Sequence, residues 1–156
     1  GAPFCLEDVT LTNPNGFGLG IYSRSTPCCV RLSSCAISDC SCNGVYAYGG
    51  RTSLEMVDCL VRNGFSGVAA TGGARVRISG ASSRIHGNMG NGLYSGAGSV
   101  IKVSGLGTKP AFTREQYGKR YFSGATTSAL FSETEAHPNK GGDVAENHGG
   151  SVVFLS

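Results

Sequence analysis

The sequence contains no tryptophan, and charged side chains make up only 15% of its 156 residues. It has no apolar run of the roughly 20 residues that a membrane-spanning helix requires, so we predict no membrane span. It also lacks a signal-peptide apolar segment and any Asn-x-Ser/Thr sequon. The net charge of +3 is small and the basic residues are dispersed, which argues against a nucleic-acid-binding protein.

The seven cysteines follow no recognisable disulfide or metal pattern. An odd count argues against a complete disulfide framework, and no Cys-x-x-Cys pair or neighbouring histidine indicates a zinc site. The favoured interpretation is small buried apolar side chains, several of them stacked, with disulfides and metal ligation as the alternatives. Together with the missing sequon, this favours an intracellular, reducing compartment. The cysteines are Cys5, Cys28, Cys29, Cys35, Cys40, Cys42 and Cys59.

A short phrase that starts with glycine and an apolar residue recurs four times. The copies are Gly20-Ile21, Gly44-Val45, Gly67-Val68 and Gly92-Leu93, which lie 24, 23 and 25 residues apart. Repetition at this interval is typical of solenoids, in which each repeat forms one coil. The 25 glycines suit such a turn-rich architecture.

Two further apolar columns keep the same interval, and their short period-2 segments predict three strands and three turns per coil. The first column is Leu6, Val30, Leu54, Val76 and Ile101. The second is Leu11, Ile37, Leu60 and Ile85. The residue after each member of the first column should face solvent, and the first four of these alternate in sign. They are Glu7, Arg31, Glu55, Arg77 and Lys102.

Asparagines are expected at corners of the coils, because Asn63, Asn88 and Asn147 each follow an apolar position by three residues. The phrase apolar-x-x-Asn followed by Gly-apolar-x-apolar resembles the right-handed parallel β-helix repeat. That repeat occurs in pectin-lyase-like enzymes, phage tailspikes and F-box-type β-helix modules. The resemblance covers residues 4–103 well and 142–156 weakly. It implies an all-β, single-stranded, right-handed parallel β-helix of about five coils.

The rhythm stops after Val103, and we predict a loop insertion at about 104–142 in the single domain 1–156. Thr113-Arg114-Glu115-Gln116 has capping-box spacing, which indicates one short helical turn. Such an insertion is either a docking loop for a partner or a passive flap over a sheet or an end. The candidate partner-binding residues are its basic and aromatic ones: Lys109, Phe112, Arg114, Tyr117, Lys119, Arg120, Tyr121 and Phe122.

The sequence offers little evidence of catalysis, a metal or a cofactor. Polygalacturonase-like β-helix enzymes carry Asn-Thr-Asp, Asp-Asp, Gly-His-Gly and Arg-Ile-Lys motifs, and none is present. Asp8, Asp39 and Asp58 occupy different offsets from the apolar columns, so they should not converge. His86 follows the inward-pointing Ile85 and is expected to face solvent at a corner.

The hypothesis that follows is a non-catalytic β-helix scaffold or protein-interaction module within a larger assembly, with other protein subunits as partners. The alternatives are a segment of a carbohydrate-active enzyme, whose catalytic coils lie elsewhere, and a carbohydrate-binding appendage. The uncapped ends lead us to expect a fragment of a longer protein, or ends that partners cover.

Overall fold

The computed structural model describes residues 2–106, 111–116, 119–123, 130–131 and 139–155, and every regular element within them is a β-strand. The first four coils are β1 (Phe4–Glu7), β2 (Thr10–Thr12) and β3 (Leu19–Tyr22); β4 (Cys28–Ser33), β5 (Ala36–Ser38) and β6 (Val45–Tyr48); β7 (Thr52–Val57), β8 (Leu60–Arg62) and β9 (Val68–Thr71); and β10 (Arg75–Ser79), β11 (Arg84–His86) and β12 (Leu93–Gly96). They are followed by β13 (Val100–Ser104), β14 (Ala111–Gln116), β15 (Lys119–Ser123), β16 (Val144–Asn147) and β17 (Ser151–Phe154). These residues therefore contain no helix that could span a membrane.

Three sheets form the faces of the stack. The first sheet has the order β1-β4-β7-β10-β13-β17, and the second has the order β11-β8-β5-β2. The third has the order β14-β15-β16-β12-β9-β6-β3. All described pairings are parallel except those of β15, which is antiparallel to both β14 and β16. The predicted parallel β-solenoid is therefore confirmed, with four complete coils and a fifth that the insertion interrupts.

Alternate residues of each strand point inward and stack on the equivalent residue of the next coil. In the first sheet this inner column is Val30, Leu54, Val76, Ile101 and Val152, and all five are buried. Burying each such side chain is worth about 1.5–3 kcal/mol, so repetition of one inner column stabilises the whole stack.

The register of the first coil differs from the prediction by two residues. Leu19 pairs with Val45, whereas Ile21 pairs with Ala47. Likewise, Phe4 pairs with Val30, so Leu6 lies one inward position further along. A two-residue shift keeps the same side chains pointing inward, so the apolar alternation alone could not reveal it.

Close packing of a glycine column sets the true register. A Cβ at Gly18 would lie 2.5 Å from Cγ2 of Ile37, and one at Gly44 would lie 2.6 Å from Cγ1 of Val61. Gly18, rather than Gly20, therefore occupies the same column as Gly44. The same stacking shows that Leu60 was assigned to the wrong column, because Val61 pairs with Ile37 and is fully buried. Leu60 and Val61 are both apolar, so the pattern did not distinguish them.

The shifted register also changes the outer ladder of the first sheet. Arg31, Glu55, Arg77 and Lys102 occupy one ladder position, but Cys5 stands where Glu7 was expected. The alternation of charge therefore extends over Arg31, Glu55 and Arg77 only, and Arg31 lies 3.7 Å from Glu55. Both side chains are about half exposed, so this pair adds at most about 1 kcal/mol.

Residues with left-handed backbone form columns at the corners. After the first sheet, Asp8, Ser34 and Asp58 have φ values of 54°, 52° and 52°. The backbone N–H of Asp8 donates to Ser33, and that of Asp58 donates to Ser79, so these corners stack. Asp8 and Asp58 therefore share a column, contrary to the prediction from their offsets, although Ser34 separates them. Asn63 is left-handed with φ 56°, as expected of a corner asparagine, and its amide donates to Asp39 Oδ1 over 3.1 Å.

The described part of the insertion includes two strands, where a loop was predicted. β14 and β15 form an antiparallel hairpin, and β15 pairs with β16, so the hairpin extends the third sheet. The helical turn predicted at 113–116 is wrong, because these residues belong to β14. The chain rejoins the stack at Leu130 and Phe131, which are buried, and the Ile85 N–H donates to the Leu130 carbonyl over 2.5 Å.

A buried polar network closes the insertion where it re-enters the fifth coil. The Asn88 amide donates to Asn139 Oδ1 over 2.9 Å, and its oxygen accepts from the Gly64 N–H over 3.0 Å. Asn139 in turn donates to Asp143 Oδ1 over 3.1 Å and to the Ile85 carbonyl over 3.0 Å. The predicted corner residue Asn88 thus lies inside the stack, where it bonds the coils on either side.

Candidate functional site

The outer surface of the third sheet carries a cluster of aromatic rings, which we call the tyrosine face. Its members are Phe17, Tyr22, Tyr46, Tyr48 and Tyr94. Strand alternation explains the arrangement, because the inward Val45 and Ala47 are fully buried while their neighbours Tyr46 and Tyr48 point outward. Tyr22 pairs with Tyr48 on the adjacent strand, so the rings of successive coils meet.

Four of the rings, those of Phe17, Tyr22, Tyr46 and Tyr48, pack against one another. The centroids of Phe17 and Tyr46 are 5.1 Å apart with an interplanar angle of 18°, and those of Tyr46 and Tyr48 are 6.4 Å apart at the same angle. The Tyr22 ring is tilted against Tyr46 at 5.5 Å. Stacked and tilted pairs at these distances are worth about 0.5–1.5 kcal/mol beyond area burial. The cluster is therefore a preformed surface.

Glycines leave room for these rings. A Cβ at Gly20 would lie 3.0 Å from Cε2 of Tyr22, and one at Gly96 would lie 2.9 Å from the hydroxyl of Tyr94. The rings thus lie along the strand over positions without side chains. Glycine at these places permits tyrosine to cover the sheet.

Polar groups border the aromatic cluster. The Arg24 guanidinium carbon lies 4.9 Å from the centroid of the Tyr48 ring, and its Nη2 donates to the Tyr48 hydroxyl over 2.5 Å. The hydroxyls of Tyr46 and Thr71 are hydrogen-bonded at 2.9 Å. Desolvation, followed by the nearby Tyr46 hydroxyl, raises the pKa of Tyr22. The phenol is therefore neutral near pH 7 and can donate a hydrogen bond.

A groove of about 240 Å³ lies between the rings of Tyr46 and Tyr94. Ala69 occupies the ladder position between these two tyrosines, so one ring is missing from the row there. The exposed ring of Phe65 lines the groove, and its polar walls come from Asn43, Ser66, Thr71 and Asn91. None of the described residues that line it is charged. The groove is suited to a neutral, apolar group flanked by hydrogen-bonding atoms.

Six of the eight candidate residues predicted in the insertion lie on the same sheet. Phe112 and Arg114 belong to β14, whereas Lys119, Arg120, Tyr121 and Phe122 belong to β15. Lys109 and Tyr117 lie outside the described residues. Strands β16 and β12 pair directly, and β15 follows β16, so the hairpin extends the sheet beyond Tyr94. Sequence reasoning missed the tyrosine face, although Tyr46 and Tyr94 hold the same outward position in two copies of the repeated phrase.

His, Cys, Asp and Glu side chains are scattered over the described part of the stack. Within the described residues, no group of three potential ligands from His, Cys, Asp and Glu comes together. His86 was expected to face solvent but is buried, with 2% of its surface exposed. It lies in β11, next to Ile85, where the returning chain packs on the stack.

The cysteines are free and several of them fill the interior. Cys35, Cys40 and Cys59 are buried, and each thiol donates over 3.4 Å to the carbonyl two residues earlier. Burial raises the pKa of the Cys59 thiol, which keeps it protonated. The prediction of small buried side chains is confirmed for these three, whereas Cys5 and Cys29 are exposed.

Comparisons of the chain with protein-family models, with curated proteins and with solved structures give no significant match.

Proposed function

We propose that this chain is a non-catalytic β-solenoid module that binds another protein through the tyrosine face. The observation that carries this proposal is a preformed row of stacked aromatic rings on the outside of a parallel sheet. Tyr22 and Phe65 expose 59% and 58% of their surfaces. Tyrosine and other aromatic side chains are enriched at protein interfaces, where a few of them supply most of the binding energy.

The groove supports a partner that contributes one apolar side chain. The missing ring at Ala69 leaves a gap in the row between Tyr46 and Tyr94, and an aliphatic or aromatic side chain inserted there would contact both rings. The hydroxyl and amide groups on the groove walls would bond the partner's backbone. Arg24 uses one donor on Tyr48 and has others free to bind a carboxylate at the rim.

Ring geometry favours a protein over a carbohydrate. A sugar stacks flat on an open aromatic face, but the Tyr46 ring is already stacked with Phe17 and with Tyr48, at an interplanar angle of 18° in each pair. The described lining of the groove also lacks the clustered carboxylates that polysaccharide-cleaving β-helix enzymes use. The family resemblance and its carbohydrate-active alternative stay predictions, and carbohydrate binding is one outcome of the test below.

The test is site-specific photo-crosslinking of the chain in its native extract. A photo-reactive phenylalanine analogue replaces Phe65 in the groove or, as a matched control, the exposed Arg62 on the second sheet. We expect one protein to crosslink from position 65 and not from position 62. That protein is then purified, and its affinity is measured for the wild-type chain and for the Tyr22→Ala and Phe65→Ala variants.

Loss of affinity of about tenfold or more in each variant, with unchanged circular dichroism, would support the proposal. Equal crosslinking from both positions, or unchanged affinity in both variants, would contradict it. If a neutral oligosaccharide binds to the tyrosine face and no protein is crosslinked there, the face would be assigned to carbohydrate instead.

A further inference from the structure

We infer that the outer face of the first sheet contains a binding site for a phosphate monoester, formed by Arg75, Arg77 and Lys102. We call these three residues the basic recess. They line a cavity of about 120 Å³ together with Val76 and Val100. This site lies on a different sheet from the tyrosine face, so it does not depend on the proposed protein-binding function.

Strand register brings the three cations together. Arg77 and Lys102 are ladder partners on β10 and β13, about 4.8 Å apart at the backbone. Arg75 and Arg77 are alternate residues of β10, so both point outward, about 6.6 Å apart. All three side chains are exposed. Their heads can therefore reach one common point above the recess.

The cluster has more cations than carboxylates: among the described residues, Glu55 lines the adjoining cavity with Arg75 and Arg77. Among the side chains that the structure describes, no acidic group lies within 4.0 Å of the charged groups of Arg75, Arg77 or Lys102. The ion pair on this face joins Arg31 and Glu55 instead. Glu55 is the ladder partner of Arg77, but it is directed to Arg31. Three like charges on adjacent positions repel each other, and a bound anion would remove that cost.

The number of cations points to a phosphate monoester rather than a singly charged anion. One arginine can satisfy a carboxylate with two parallel hydrogen bonds, so a carboxylate would leave two cations unused. A phosphate monoester carries a charge of about −1.5 to −2 at pH 7 and has three strong acceptor oxygens. A phosphodiester has a single charge and two free oxygens, which fits the cluster less well.

The experiment is an NMR titration of the ¹⁵N-labelled full chain at low salt with methyl phosphate and, as a matched probe, dimethyl phosphate. We expect methyl phosphate to shift amide signals of β10 and β13, and dimethyl phosphate to bind at least about tenfold more weakly. Binding of methyl phosphate should weaken between about pH 7.5 and pH 5, because the second ionisation lies near pH 6.

Variants locate the site. Arg77→Gln and Lys102→Gln should each weaken methyl phosphate binding about tenfold, since each removes a charge-assisted hydrogen bond. Arg62→Gln removes the same charge from the second sheet and should change nothing. Equal binding of the monoester and the diester, or full affinity in both recess variants, would overturn the proposal.

Two further probes identify where the phosphate group comes from. O-phosphoserine within a short peptide and glucose 6-phosphate are titrated in parallel under the same conditions. Tighter binding of the peptide assigns the recess to a phosphorylated protein, and tighter binding of the sugar assigns it to a phosphorylated metabolite. Either result supports the site. If none of the three monoesters binds measurably, the proposal is contradicted.

Discussion

Gly67 packs against Ile85 of the next coil so closely that a Cβ at position 67 would lie 2.6 Å from Cγ2 of Ile85. The same Cβ would lie 2.7 Å from the carbonyl oxygen of Gly92. Backbone atoms on that side cannot move without disturbing the ladder between β9 and β12. This contact explains why glycine recurs once per coil directly before the third sheet.

Gly67→Ala should therefore lower the free energy of unfolding by about 1–3 kcal/mol, the usual cost of overpacking. Gly50→Ala is the matched control, because a Cβ at Gly50 meets no atom within 4 Å. Urea denaturation followed by circular dichroism measures both variants. Equal stability of the two would contradict the close stacking of the glycine column.

Asn88→Ala should destabilise the fold by about 2 kcal/mol, because it leaves buried polar groups without partners. The groups affected are the Gly64 N–H and the Asn139 side chain, both of which bond to Asn88. Asn15→Ala is the control, because Asn15 is exposed and only its backbone N–H is bonded locally. The test compares the urea concentrations at which the two variants are half unfolded, with the dependence of the unfolding free energy on urea held the same. A neutral Asn88→Ala would mean that this amide does not connect the coils.

Alkylation should divide the cysteines by position. Cys5 and Cys29 are exposed and should react with iodoacetamide in the folded chain within minutes. Cys35 and Cys59 are buried, and desolvation raises the pKa of Cys59, so both should react only after unfolding in urea. Mass spectrometry of tryptic peptides reads out each site. Rapid native labelling of Cys59 would show that the corner after the first sheet is open.

Stacking within the tyrosine face should appear as coupling between Phe17 and Tyr46. A double-mutant cycle with Phe17→Ala and Tyr46→Ala should give a coupling energy of about 1 kcal/mol. Tyr22 and Tyr94 lie on β3 and β12, which β6 and β9 separate, so their cycle should be additive. Urea unfolding of the single and double variants supplies the free energies. Additivity in the first cycle would remove the evidence for a preformed surface.

The fold was largely predictable because the inner columns repeat at one interval, as the column that contains Val30 and Leu54 does. The position of Leu19 was not predictable from alternation, since a two-residue shift keeps Ile21 inward as well. The choice between Leu60 and Val61 was equally hidden, because both are apolar in a strand of three residues. Only the contact of each glycine with the next coil settles these registers.

The candidate site was less accessible to sequence reasoning. The basic and aromatic residues of the insertion were favoured, because long insertions often carry function. The tyrosines of the repeated phrase were treated as part of the repeat, although their outward position follows from the same alternation that places Val45 inward. Ala69 in the gap has no sequence signal of its own, because its meaning depends on rings that lie 23 and 25 residues away.

The most direct test of the account is a methyl-resolved NOESY spectrum of the folded chain. Stacked coils predict cross-peaks between the methyl groups of Leu19 and Val45, Val45 and Val68, and Val68 and Leu93, because these residues are ladder partners. Observation of this series would confirm both the solenoid and its corrected register. Cross-peaks from Ile21 to Val45 with none from Leu19, or no contacts between successive coils, would contradict it.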